Sequence, residues 1–174
     1  VFVDGSVSSF TNPAFQAFMK ATCPPYNLNW NVGQDDLLVV SVGTGLGPHH
    51  RKKLDLKDFN LLASAKLVPA SLILSTVVEQ DVLCRTFGKC VFGNRIDDEI
   101  EKLEKSLPPG GKNLFSYVRY NEELSDEGLT RLGLPKIKPE NVVLLDSTDH
   151  INELVEIGAA IAAQQVTSQH FKDF

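Results

Sequence analysis

The chain has 174 residues, of which 43% are hydrophobic and 22% charged, the balance of a folded α/β protein rather than a disordered one. A net charge of −5 offers no basic surface for phosphate neutralisation and argues against a nucleic-acid partner. Three cysteines (Cys23, Cys84, Cys90) without C-x-x-C spacing argue against a disulfide framework and a zinc site, and no apolar run reaches the roughly eighteen residues that span a bilayer.

Val1-Phe2-Val3 running into Asp4-Gly5 predicts a buried strand that delivers Asp4 at its carboxyl end, with Gly5 free to turn the backbone. Asn12-Pro13 predicts a helix start, Asn12 as cap and Pro13 at the first helical position. The helix runs over 13–22 with Ala14, Phe15, Phe18 and Ala21 on its apolar face, and Pro24-Pro25 ends it. A loop over 26–33 carries Trp30. Leu37 to Val42 lacks alternation and predicts a strand buried on both faces. The loop Gly43-Thr44-Gly45-Leu46-Gly47-Pro48 then leaves its carboxyl end.

Helices are expected over 56–65 and 71–87, the second ended by Gly88. Another is expected over 97–106, with Asp97, Asp98 and Glu99 in its first turn. Leu114 to Tyr120 predicts a strand in which Phe115, Tyr117 and Arg119 alternate with Ser116, Val118 and Tyr120. A short helix follows over 125–132, closed by Gly133. Val142 to Leu145 suits a brief strand or an extended approach to the last helix. That helix starts near Thr148-Asp149 and places Ile151, Leu154, Val155, Gly158, Ile161 and Ala162 at helical spacing for burial. No repeat or composition break divides the chain, so the expectation is one unit with helices on both sides of a sheet.

Asp4-Gly5-Ser6, a short loop, Asn12-Pro13, a helix and the strand into Gly43-Thr44-Gly45 resemble, in that order, the second half of a patatin-like lipid acyl hydrolase. The match covers residues 1–47. It implies a three-layer α/β/α patatin-like fold, incomplete here, with residues 1–174 as the carboxyl-terminal portion of a single catalytic domain. That family hydrolyses acyl esters with a Ser–Asp dyad whose aspartate lies in an Asp-Gly-Gly or Asp-Gly-Ala motif. The resemblance thus assigns Asp4 as proton acceptor, with Gly5 and Ser6 completing the motif. No glycine here begins a G-x-S-x-G, so the nucleophile and oxyanion loop are expected in a missing amino-terminal segment of the same protein. An acyl lipid or phospholipid substrate follows, with no cofactor and no metal. The expected location is cytoplasmic, with peripheral contact at a membrane.

Other residues offer competing sites. The Gly43–Gly47 spacing matches neither dinucleotide nor Walker loops and reads as a tight loop. His49-His50-Arg51-Lys52-Lys53 reads as a solvated loop able to meet anionic lipid heads. His150 and Asp146 read as structural, the latter as a cap for the final helix. Leu83, Phe87, Val91 and Phe92 read as core or as part of an acyl-chain channel. The competing functional reading is a non-catalytic pseudoenzyme or ligand-binding α/β module, which an upstream G-x-S-x-G would exclude.

Overall fold

The computed structural model describes residues 5, 8–47, 61–97, 99–103, 107–108, 110–144 and 148–174, with 61–67, 69 and 70 described by their backbone. Val1–Val3, Asp4, Ser6, the 48–60 stretch with His49 and His50, and Asp146 lie outside the described residues. The fold is mixed α/β, built among the described residues on a small open sheet of three parallel strands: β1 (Leu38–Val42), β2 (Lys89–Phe92) and β3 (Ser116–Tyr120) in the order β1-β3-β2. Five helices accompany it among the described residues: α1 (Ala14–Thr22), α2 (Leu61–Phe87), α3 (Asp126–Arg131), α4 (Pro139–Val142) and α5 (Ile151–Gln165). None is long and apolar enough to cross a membrane.

The chain divides into two compact units, the first holding residues 1–41, 54–119 and 173–174. Its core forms where one sheet face meets α1 and α2. Leu37 and Val39 project from the β1 segment, Tyr117 from β3 and Phe115 from the residue before it, Ala14 and Phe18 from α1, and Cys84 from α2. The alternation of side chains along a strand puts these residues on a common face. Phe18 lies 4.4 Å from Phe115, ring centre to ring centre, and Phe15 lies 5.6 Å from Phe87.

β1 is not buried on both faces as expected. Val39 and Ser41 are buried while Val40 and Val42 are exposed, so one face of β1 is covered and the other is open among the described residues. All five residues of the central strand β3 are buried. β2 was not foreseen; it follows α2 with Gly88 alone between them and pairs in parallel with β3, with an irregularity between Cys90 and Phe92. α2 is one helix of 27 residues whose backbone continues through Pro69, where two helices were expected.

Inside the first unit Arg85 is almost wholly buried, yet its charge is answered. Nε donates to Asp81 Oδ1 at 3.0 Å, Nη2 to Asp81 Oδ2 at 2.9 Å and Nη1 to the Lys102 carbonyl at 3.1 Å. Burial works against the guanidinium charge, but Asp81 outweighs it and the pKa of Arg85 is raised. Gly93 makes the room, since a Cβ there would stand 2.7 Å from Arg85 Nη2.

The helix expected over 97–106 does not form in the described residues. Asp97 Oδ1 accepts from the amides of Glu99 and Ile100, and Ile96 N–H donates to the Glu101 carbonyl, closing a tight reversal. A short acidic side chain that captures nearby amides competes with helix in this way.

The second unit holds residues 42–53 and 120–172. Leu124, Leu129, Leu132, Ile137, Val142 and Ile157 form its core. Ser125 caps α3 by accepting from Gly128 N–H at 3.1 Å, and Gly133, at φ 80°, follows its end as expected. Val142 closes the short helix α4 instead of opening a strand; Pro139 suits that helix's first turn because its missing N–H is not needed there. On α5 the buried position is Ile157, with Leu154 and Ile161 partly buried, whereas Ile151 and Val155 are exposed. The helix is therefore rotated relative to the expected face.

Candidate functional site

α1 begins where its sequence suggests, with a shift of one residue. Pro13 stands just before the first turn and its carbonyl accepts from Ala17 N–H at 2.8 Å. Asn12 Oδ1 reaches Ala14 N–H at 3.4 Å, a long bond for a cap. Its shorter bond goes elsewhere, because Ser41 Oγ donates to it at 3.0 Å. Ser41 Oγ in turn accepts from Arg119 Nη1 at 2.6 Å. Asn12, Ser41 and Arg119 thus form one linear network, each no more than 7% exposed.

Strand alternation explains how the three meet. Leu37, Val39 and Ser41 share one face of the β1 segment, and Phe115, Tyr117 and Arg119 share the matching face of β3. Along each row the first two residues enter the apolar core, and the third is polar and lies nearest the carboxyl end. That end of an open parallel sheet is where ligands and catalytic groups gather. Among the described residues no carboxylate pairs with Arg119, in contrast to Arg85. Asn12 Nδ2 is buried without a hydrogen-bond partner among the described residues.

Gly5 is the described member of the expected Asp-Gly-Ser motif. Its carbonyl accepts from Ser8 N–H at 3.0 Å, Ser8 Oγ at 2.9 Å and Thr11 Oγ1 at 3.2 Å. A closed turn therefore leads from Gly5 into Asn12. Asp4 and Ser6 lie outside the described residues.

In the second unit the Gly43-Thr44-Gly45-Leu46 segment is tied along the residues that continue β3. Gly43 N–H donates to the Tyr120 carbonyl at 2.8 Å, Gly45 N–H to Asn121 Oδ1 at 3.0 Å and Leu46 N–H to the Glu122 carbonyl at 2.9 Å. Those three amides are engaged and cannot cradle a phosphate. Gly45 has φ 97°, and a Cβ there would stand 2.6 Å from the Leu124 side chain, so only glycine suits the position.

Glu122 accepts from Arg131 Nη2 at 2.9 Å and Gln165 Nε2 at 2.6 Å, joining α3 and α5 to the end of β3. His150 lies 3.1 Å from Glu153 on the first turn of its own helix, a local structural pairing. Among the described residues no group of histidine, cysteine and acidic side chains could hold a metal ion.

Sequence reasoning read Asn12 as a cap, and Ser41 and Arg119 as strand residues, without joining them. The available signal was a polar residue at the third inward position of two strands whose other inward positions are large and apolar. No family model, no curated protein and no solved structure matches this chain.

Proposed function

We propose that this chain is the carboxyl-terminal part of a patatin-like serine acyl hydrolase acting on phospholipids or related acyl lipids, with Asp4 as the base of a Ser–Asp dyad. The single observation that carries the reading is the hydrogen bond between Asn12 and Ser41. It ties the turn that begins at Gly5 to the carboxyl end of β1, and Asp4 directly precedes Gly5 in the sequence. The family's serine and oxyanion loop precede the Asp-Gly motif and would come from residues upstream of Val1. The serine would attack the ester carbonyl, Asp4 would take its proton, and upstream backbone amides would hold the oxyanion. No cofactor is implied. The protein would work in the cytoplasm, meeting its substrate at a membrane surface.

The test is turnover of a short-chain nitrophenyl ester by a longer protein that includes the upstream residues, with thermal melting of the same preparation. Asp4→Asn keeps the shape but cannot take the serine proton, so kcat should fall by about a hundred- to ten-thousand-fold with the melting temperature held. The 174-residue chain alone should show no turnover above background. Unchanged turnover in Asp4→Asn, with loss in Asp146→Asn, would place the base elsewhere.

A further inference from the structure

The network at the carboxyl end of β1 does not stop at Asn12. Thr11, the preceding residue, donates to the Gly5 carbonyl, and that same oxygen also receives both donors of Ser8. A continuous path therefore runs from Arg119 on the central strand through Ser41 and Asn12 to the turn closed by Gly5, Ser8 and Thr11. We propose that Arg119, Ser41 and Asn12 form a brace that sets the position of this turn, and with it the Gly5 carbonyl on which the turn closes. They act as positioning residues; the catalytic consequence rests on the hydrolase reading, the structural brace does not.

Stability alone is a poor account of Arg119. A buried guanidinium is costly unless a carboxylate answers it, and an apolar side chain of similar size would fill the same volume without that cost. Arg85 shows the stabilised arrangement, with both oxygens of Asp81 engaged. Among the described residues no carboxylate does this for Arg119, whose Nη1 donates to a neutral hydroxyl at 2.6 Å. A charged donor on Ser41 Oγ leaves the hydroxyl proton committed to Asn12 Oδ1, and bonds in such a chain strengthen one another. The direction of the whole path is thereby fixed. A bare helix cap would need only Asn12, and its bond to Ala14 N–H is the weakest of the set.

Hydrogen exchange on the 174-residue chain tests the brace without any reference to catalysis. The reporter is the Ser8 amide, which bonds to the Gly5 carbonyl. Ser41→Ala and Arg119→Met should each speed its exchange about tenfold while amides inside α1 keep their protection. Ser41→Thr, which retains the hydroxyl, should restore protection to within about threefold of the parent chain. Unchanged exchange at Ser8 in both variants overturns the brace. Equal acceleration at Ser8 and throughout α1 also overturns it, because that is general destabilisation.

Turnover of the longer protein supplies the second arm. Ser41→Ala should lower kcat about a hundredfold with KM within about twofold, and should add nothing in an Asp4→Asn background. If Asp4→Asn leaves turnover intact, the hydrolase assignment fails and the exchange result alone judges the brace. If Asp4→Asn abolishes turnover and Ser41→Ala leaves kcat unchanged, the catalytic role of the brace fails and the hydrolase assignment stands.

Discussion

Cys84 and Tyr117 belong to the same apolar cluster, and the fold holds both in their neutral forms. Burial, reinforced by the negative charge of Asp81, pushes the Cys84 thiol from 9.0 up to about 12. Burial and then Asp81 push Tyr117 upward from 10.0 as well. The unfolded chain gives up these protons first, so the folded state binds more protons across the interval. The stability they contribute is complete below pH 9.0 and declines between 9.0 and about 12, with Tyr117 steepening the loss above pH 10.0. Each group adds a slope of about 1.4 kcal/mol per pH unit while it titrates in the unfolded chain alone. Urea midpoints should therefore be lower at pH 10.5 than at pH 8, with the difference reduced in Cys84→Ala; equal midpoints would contradict this. The sequence shows Cys84 as an unpaired thiol in an apolar stretch that reads as core or acyl-chain channel, but not the nearby Asp81 charge that adds to the shift. Whether a polar residue is buried depends on the face it occupies, and the strand pairing that settles the face of Ser41 and Arg119 joins residues 78 apart.

Elements fixed by local chemistry were read well, and those fixed by distant partners were not. α1, β3 and α3 carry their own signals: an Asn-Pro start, a run of large alternating residues, and a Ser cap with a glycine after the end. The cap of α3 gives a direct test, because Ser125→Ala removes the acceptor for Gly128 N–H and should cost about 1 kcal/mol in a urea melt, with fold retained. A loss within experimental error would mean that neighbouring contacts already hold the turn. β2 escaped because its four residues follow a helix almost directly, and pairing with β3 makes them a strand. The 97–106 segment has a helical charge pattern, but the Asp97 side chain captures two amides that a helix would need elsewhere. On α5 helical spacing puts Ile151 and Val155 on the expected buried face, while the core of the second unit selects Ile157.

At the scale of the whole molecule, each of the two units has its own apolar cluster. The single tryptophan, Trp30, belongs to neither cluster and is 57% exposed, flanked by exposed Leu28 and Val32. Iodide should therefore quench native Trp30 nearly as well as it quenches the urea-unfolded chain; strong native protection would show that another surface covers this loop. Mixed α/β character was legible from patterning, whereas the division into two units was not, because no change in composition accompanies it. The strand order has a further consequence, for the timing of synthesis. Among the described strands β3 comes last in the chain and lies between the other two. On the ribosome β1 and β2 emerge as neighbours in sequence that are not neighbours in the sheet, and neither gains its partner among the described strands until residues 116–120 appear. The first unit must therefore wait, its core residues from Ala14 to Cys84 already synthesised and without Phe115 and Tyr117 to close over them. Non-local parallel pairing of this kind folds slowly and leaves apolar surface open meanwhile. For this chain the nascent state, more than the finished fold, is where dependence on chaperones would be concentrated.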